Sequence, residues 1–119
     1  MKTFVVTAIA TASMALPALA GPYDGMWLRP STGAHIQAFD CGGGLGLKVV
    51  KSDNAATIGK SIICGAKSSG DNQWSGIGVK VDDGSEFKGT WTLSGDTLKL
   101  RGCLKIGFPC QSENWKRIK

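Results

Sequence analysis

Apolar residues recur at every second position through most of this chain, and no stretch longer than a turn or two shows the 3.6-residue spacing of a helix. For example, Ala34, Ile36 and Ala38 alternate with His35 and Gln37. Because successive side chains of a strand point to opposite faces of its sheet, this period predicts strands that each bury one face in a core.

The alternation predicts eight short strands after residue 20. They cover residues 26–29, 34–40, 45–50, 58–66, 74–81, 86–93, 97–103 and 112–118. Short strands that follow one another after tight turns are typical of an antiparallel sandwich or barrel. A closed barrel is favoured because closure leaves no edge strand exposed. We therefore expect an all-β fold, a small eight-stranded antiparallel up-and-down barrel.

The same alternation assigns the large aromatic side chains to the interior or the exterior. The inward set is Trp27, Phe87, Trp91 and Trp115. Trp74 falls outward unless a β-bulge intervenes, because Ile77, Val79 and Val81 define the inward face of its strand. An eight-stranded barrel lies at the boundary between a filled interior and room for one small ligand. We expect a mostly filled core with a shallow pocket at the open end.

The first twenty residues have the parts of a secretory signal peptide. Lys2 supplies a positive start, an apolar run follows over residues 4–16, and Ala18 and Ala20 are small residues before Gly21. A membrane-spanning helix is less favoured, because the apolar run falls short of the roughly 20 residues that a span needs. We expect cleavage after Ala20 and one domain over residues 21–119.

The four cysteines are an even set in a small domain that is expected to be exported, which favours disulfides. Cys103 and Cys110 flank a short turn that contains Gly and Pro, so we expect them to pair, and Cys41 and Cys64 remain as the second pair. A zinc site is disfavoured, because no Cys-x2-Cys motif occurs and His35 is the only histidine.

The net charge is +5, and removal of Lys2 with the signal peptide leaves 5 − 1 = +4. This charge is too weak and scattered to indicate a nucleic-acid partner. The basic residues expected on outward faces are Lys48, Lys80, Lys88, Lys99 and Arg101. Such residues maintain solubility on a sheet, and the alternative is a cationic strip that attracts an acidic partner such as an anionic lipid surface.

Catalytic motifs are missing from the sequence. His35 has no Gly-x-Ser-x-Gly or Cys-His pattern beside it, and paired cysteines leave no thiolate nucleophile. Asp82 and Asp83 precede Gly84, which fits a hairpin turn rather than an acid/base pair. We therefore expect a protein that is not an enzyme and that needs no metal or cofactor.

The Gly-x-Trp motif at residues 25–27 resembles the signature of lipocalins and related calycins. In that superfamily the tryptophan closes one end of the barrel beneath a basic residue from a late strand. The resemblance implies this role for Trp27, with Arg117 or, less favoured, Arg101 above it. Parity supports Arg117, because it lies inward if Trp115 does.

Nearly the whole chain after the signal peptide resembles the bacterial exported family catalogued as domain of unknown function 2147. The most specific matches are Leu-x-Leu-Arg-Gly-Cys over residues 98–103 and Trp-Lys-Arg over residues 115–117. Other matches are residues 25–27, Cys41-Gly42, and residues 74–76, 82–84 and 87–90. Members commonly have a second Cys-Gly where this chain has Leu45-Gly46, which leaves the partner of Cys41 open. The resemblance implies a lipocalin-like barrel in the bacterial periplasm, or secreted, and implies no reaction.

Two classes of function remain. The first is a non-enzymatic protein that binds a small hydrophobic or amphiphilic molecule. Its candidate ligand contacts are Trp27, Phe87, Trp91, Trp115 and Arg117. The second is a protein-interaction module, such as an inhibitor of an exported protease that uses the loops at residues 42–46 or 104–109, or a structural envelope-stress protein. In each case we expect a monomer without a membrane span.

Overall fold

The computed structural model describes residues 21–119, which form a closed barrel of eight antiparallel strands. The signal peptide expected at residues 1–20 lies outside this range. The strands are β1 (Gly25–Arg29), β2 (Ala34–Cys41), β3 (Gly44–Lys51), β4 (Ser61–Gly70), β5 (Gln73–Val79), β6 (Glu86–Ser94), β7 (Thr97–Cys103) and β8 (Cys110–Arg117). Each strand pairs with the next and β8 pairs with β1, which confirms the predicted up-and-down barrel.

Two further observations concern helical structure. A short 3-10 turn, Ala55–Thr57, lies between β3 and β4. Within residues 21–119, no helix has the length and apolar character needed to cross a membrane.

The strand bounds agree with the sequence pattern to within two residues except at β4. The pattern predicts residues 58–66, whereas β4 begins at Ser61 and continues to Gly70. Its second half has Lys and Ser in place of apolar residues, so it offers no alternation to detect. It is a strand because it pairs with β5, where Lys67 lies opposite Ser75.

The barrel interior is filled by the inward faces of the strands. The buried core consists of Tyr23, Trp27, Ala34, Ile36, Ala38, Leu45, Leu47, Val49, Ile62, Ile63, Ala66, Phe87, Trp91, Leu98 and Trp115. The four aromatic residues predicted to point inward all belong to this set. Burial of one large aromatic or aliphatic side chain contributes about 2–3 kcal/mol, so this core is the main source of stability.

The face prediction is wrong at Trp74 and Ile77 of β5, whereas Val79 and Val81, which are also predicted to point inward, are half-buried. Ile77 is 48% exposed, whereas Trp74 packs against the core with its ring 5.0 Å from that of Tyr23. Gly76 and Gly78 share the inward face with Trp74, since a Cβ on either would lie 2.8 Å from a buried side chain. A glycine has no side chain to mark the face on which it lies, so the apolar pattern of this strand indicates the wrong face for Trp74 and Ile77.

The N-terminal segment of the domain closes one end of the barrel. The Trp27 indole is fully buried, and its Nε1 donates to the backbone oxygen of Tyr23 at 2.9 Å. The Arg117 guanidinium lies 4.5 Å from the centre of the Trp27 ring. It also donates to the backbone oxygens of Asp24 at 2.6 Å and Pro22 at 3.0 Å. Arg117, not Arg101, is therefore the basic residue over this tryptophan.

Two disulfides join the strands in the predicted pairs. Cys41 at the end of β2 is bonded to Cys64 in β4, across the intervening β3. Cys103 at the end of β7 is bonded to Cys110 at the start of β8. The partner of Cys41, which the family resemblance left open, is thus a residue two strands away in the barrel.

Candidate binding site at the open end of the barrel

A cavity of about 210 Å³ lies at the end of the barrel opposite Trp27. It is reached where β5 and β7 end and where β6 and β8 begin. Its apolar lining consists of Ile62, Val79, Val81, Phe87, Leu100, Leu104, Pro109 and Trp115. A second cavity of about 140 Å³ adjoins it and shares Arg29, Ile62, Val81 and Asp82. Together they form the open-end site.

Packing of β6 sets the depth of this cavity. Phe87 lines it, and the Trp91 ring lies deeper in the barrel with its centre 6.2 Å from that of Phe87. Trp91 can occupy this position because Gly89 lies between them. A Cβ at Gly89 would be 2.5 Å from the six-membered ring of Trp91. The indole therefore fills the space that a deeper pocket would need.

One ion pair lies in the wall of the open-end site. The Arg29 guanidinium of β1 donates to the Glu113 carboxylate of β8 through two bonds, Nε to Oε1 at 2.7 Å and Nη2 to Oε2 at 2.8 Å. The Trp115 indole also donates to Glu113 Oε1, at 2.9 Å. Paired bonds of this kind are stronger and more directional than single neutral ones. They fix both side chains against the cavity.

These contacts keep both groups of the pair charged. The hydrogen bond with Arg29 is the main cause that lowers the pKa of Glu113, and the bond from Trp115 acts in the same direction. The same hydrogen bond raises the pKa of Arg29 above its usual value. Lys80 and Asp82 are the other charged residues that line the main cavity. Two positive and two negative groups therefore cancel there, which favours an uncharged or zwitterionic polar group over a strong ion.

The five predicted contact residues are not gathered in one site. Phe87 and Trp115 line the open-end cavity. Trp91 is fully buried in the interior, while Trp27 and Arg117 form the closed end. Ligand binding by any of these side chains stays a prediction.

Sequence reasoning missed Arg29 and Glu113, although a signal for both is present. Arg29 follows Trp27 by two positions and Glu113 precedes Trp115 by two. The alternation that places the tryptophans inward therefore also places Arg29 and Glu113 inward. Their opposite charges lie on β1 and β8, the two strands that pair to close the barrel. Two inward charges of opposite sign indicate an ion pair, and this one is partly buried.

The turn between β7 and β8 forms part of the rim of the cavity and exposes apolar side chains. Ile106 is 74% and Phe108 67% exposed, and Leu104 and Pro109 line the cavity below them. The Gly107 N–H donates to the backbone oxygen of Leu104 at 2.7 Å, which makes the tip a tight turn. We call residues 104–109 the apolar turn.

The described residues offer no evident metal site. Within residues 21–119, no group of three or more His, Cys, Asp or Glu side chains could hold a metal ion.

Comparison with known proteins gave a match at the level of the family. No curated protein and no solved structure matched the chain. A family profile matched residues 25–117, which extend from the first residue of β1 to the last residue of β8. The match therefore includes all eight strands, the open-end site and both disulfides. The chain belongs to the family described as "Uncharacterized protein conserved in bacteria (DUF2147)".

Proposed function

We propose that this protein binds, without chemical conversion, a small and mostly apolar molecule that carries one polar group. The observation that supports this function is the open-end cavity of about 210 Å³, with apolar walls and the Arg29–Glu113 pair on one side. Binding pockets commonly combine apolar walls with a few fixed polar groups of this kind.

Cavity size limits the ligand. A dry protein cavity of about 150 Å³ holds one benzene molecule, so a somewhat larger one holds a single ring with a short substituent or a short alkyl chain. A longer chain would extend through the mouth and pass the apolar turn. The balanced charges favour a hydroxyl or amide as the polar group, since each can bond to Arg29 or Glu113.

Two features of the site support binding without catalysis. A general base that works near neutral pH needs a pKa near 7, whereas the pKa of Glu113 is lowered from its usual value of 4.5. Its carboxylate oxygens are already bonded to Arg29 and Trp115. The proposal also includes export, because two disulfides form and persist in oxidising compartments such as the periplasm.

Substitution of a cavity residue tests this function. Benzyl alcohol is the probe, and amide NMR shifts of Phe87 and Gly102 are the readout. We expect saturable binding with a Kd of about 1 mM, given the size of the probe. Leu100→Trp should fill the cavity and weaken binding at least about tenfold.

Leu93→Trp is the matched control for this experiment. Leu93 also packs against the core but does not line the cavity. Its variant should therefore bind benzyl alcohol as the native protein does. Absence of saturable shifts in the native protein, or equal affinity of the Leu100 and Leu93 variants, would reject the proposed site.

A second candidate function is a protein-interaction module that uses the apolar turn. The exposed side chains of Ile106 and Phe108 favour it, since the disulfide between Cys103 and Cys110 closes the turn that presents them. The tight turn at Leu104 is unlike the extended chain that a protease cleft accepts. The geometry therefore favours a module that docks through the exposed apolar side chains at the tip of the turn, not one that enters a protease cleft as an extended chain.

Inhibition of purified exported proteases tests this alternative. The native protein should slow at least one of them, and a double variant, Ile106→Ser with Phe108→Ser, should lose the effect. Ile77→Ser, which removes an exposed apolar residue elsewhere, should retain it. If the native protein leaves the rate of proteolysis unchanged for every protease tested, inhibition of those proteases is excluded as its function.

A further inference from the structure

The outer surface of β4 to β8 combines basic and uncharged polar side chains. We call it the cationic face. It consists of Lys67, Ser69, Gln73, Ser75, Ile77, Lys88, Thr90, Thr92, Lys99, Arg101, Ser112, Asn114 and Lys116. Glu86 is the outward carboxylate at its edge, and it is bonded to Lys105 at 3.0 Å. Asp71 and Asp96 lie in turns at the closed end of the barrel, and Asp96 is paired with Arg117.

Strand register arranges these side chains in rows across the sheet. Lys67, Ser75, Thr90, Arg101 and Ser112 are successive partners on five neighbouring strands. Because neighbouring strands lie about 4.8 Å apart, Lys67 and Arg101 are separated by about 14 Å along this row. The next row contains Gln73, Thr92, Lys99 and Asn114.

Hydrogen bonds link the uncharged members of the rows. The Ser75 hydroxyl donates to Thr90 at 3.3 Å and is 2.8 Å from that of Ser69. The Gln73 amide donates to the Thr92 hydroxyl at 3.3 Å. The polar groups therefore occupy defined positions between the charges.

The positive charges of the face are not neutralised within the described structure. Its basic members are Lys67, Lys88, Lys99, Arg101 and Lys116, all exposed. The ion pairs among residues 21–119 involve none of these five side chains. Lys99 and Arg101 are two positions apart on one side of β7, so their backbones are about 7 Å apart. Unpaired like charges at this spacing produce a positive potential that attracts polyanions.

Only part of the basic strip that the sequence suggests belongs to this face. Lys48 lies on β3, 5.9 Å from the centre of the Phe39 ring, and Lys80 is at the mouth of the cavity. Lys67 and Lys116 belong to the face instead, although the alternation alone does not group them with Lys88, Lys99 and Arg101. The face is thus a product of strand register.

The chemistry between the charges discriminates among polyanions. Nucleic-acid bases stack on exposed aromatic rings, but the one aromatic residue of β5, Trp74, points toward the core. A membrane surface favours apolar residues that can insert. Ile77 is the only large apolar member of this face, and the exposed Ile106 and Phe108 lie beyond its edge, in the turn at the open end of the barrel. Hydroxyl and amide groups between cations instead match a chain that carries hydroxyls and acidic groups. We propose that the cationic face binds an acidic polysaccharide, independently of the open-end site.

Binding to polygalacturonate tests the proposal, with neutral dextran as the uncharged polymer. We expect the native protein to bind polygalacturonate, to release it as salt is added, and to ignore dextran. Lys99→Glu with Arg101→Glu reverses two central charges and should weaken binding by about tenfold or more. These side chains are exposed, so circular dichroism should show an unchanged fold.

Lys51→Glu with Lys60→Glu is the control of equal charge. Both lysines are exposed and lie outside the cationic face, and the change in net charge is the same. This variant should keep most of the affinity for polygalacturonate. Equal losses of affinity in the two double variants would mean that net charge alone determines binding, which would overturn the proposal. It would also fail if single-stranded DNA or phosphatidylglycerol vesicles bound more tightly through Lys99 and Arg101.

Discussion

At the scale of single residues, three buried indoles differ in what their N–H groups bind. Trp27 donates to a backbone oxygen, and Trp115 donates to the Glu113 carboxylate. Within the described residues, the buried Nε1 of Trp91 has no hydrogen-bond partner. A buried donor without a partner costs free energy, whereas a bond to a charged group stabilises more than a neutral one. The three side chains therefore contribute unequally, although all are buried.

Replacement of two of these indoles by phenylalanine separates packing from hydrogen bonding. Trp91→Phe and Trp115→Phe remove the same atoms from two fully buried sites. Trp115→Phe also removes the bond to Glu113, whereas Trp91→Phe removes a donor without a partner. We expect Trp115→Phe to lower the free energy of unfolding by about 1–2 kcal/mol more than Trp91→Phe. Urea unfolding followed by circular dichroism measures both, and equal losses would contradict this account.

At the scale of elements, the seam between β1 and β8 has few register pairs. Trp27 lies opposite Arg117 and Leu28 opposite Lys116. Further backbone bonds extend the seam, since the Met26 N–H donates to the oxygen of Lys119 at 2.8 Å. The Arg29–Glu113 pair joins the same two strands on the inner side. This ion pair thus belongs to barrel closure as well as to the open-end site.

Acid should weaken this seam. The pKa of Glu113 is lowered from 4.5, chiefly by the Arg29 hydrogen bond, so the native state favours the ionised form. The stabilisation is complete at pH values above the pKa of the unfolded chain and is lost as the pH falls through the lowered pKa. Glu113→Gln should reduce the free energy of unfolding at pH 7 by about 1–2 kcal/mol, since the pair is only partly screened by solvent. Below the lowered pKa, the variant and the native protein should differ little.

A comparison of pH profiles isolates this effect. The pKa of Asp83 is also lowered, first by the Ser85 hydroxyl, but this contribution is common to both proteins and cancels in their difference. Glu86→Gln is the control, because its pair with Lys105 is more exposed and should change stability by less than about 0.5 kcal/mol. If Glu113→Gln lowers the free energy of unfolding by the same amount at every pH, the stabilisation does not depend on ionisation of Glu113.

At the scale of the whole molecule, the two ends of the barrel have different roles. Arg117 and Trp27 close one end with backbone contacts, while the other holds the cavity and the apolar turn. The disulfides stabilise the fold because they lower the conformational entropy of the unfolded chain. On an entropic estimate, the contribution to the free energy of unfolding is about 3.4 kcal/mol for the 24-residue loop and about 2.5 kcal/mol for the 8-residue loop. A domain of this size has a net stability of about 5–15 kcal/mol, so these links allow a barrel with one end partly open.

The family match and the fold bear on the two proposals differently. The match to residues 25–117 shows the family and carries no activity with it. The open-end cavity and the cationic face are on different surfaces of the same barrel. Leu100→Trp and the double variant at Lys99 and Arg101 therefore test them separately, and failure of one proposal leaves the other intact.

Alternation and turn residues were enough to predict the eight strands, their order, the inward position of four aromatic residues and the pairing of Cys103 with Cys110. These features are local, because alternation and turn residues act within about ten positions of the chain. Export and ligand binding, read from the same sequence, stay predictions.

Which side chains share a surface depends on how the strands pair, and several of these contacts were not predicted. Trp74 points inward on a strand whose other inward positions are glycines, and the second half of β4 is a strand because β5 pairs with it. Arg29 and Glu113 are 84 positions apart and meet only when β8 returns to β1. The contact between β1 and β8 forms only on barrel closure, because no turn joins these two strands to set their register.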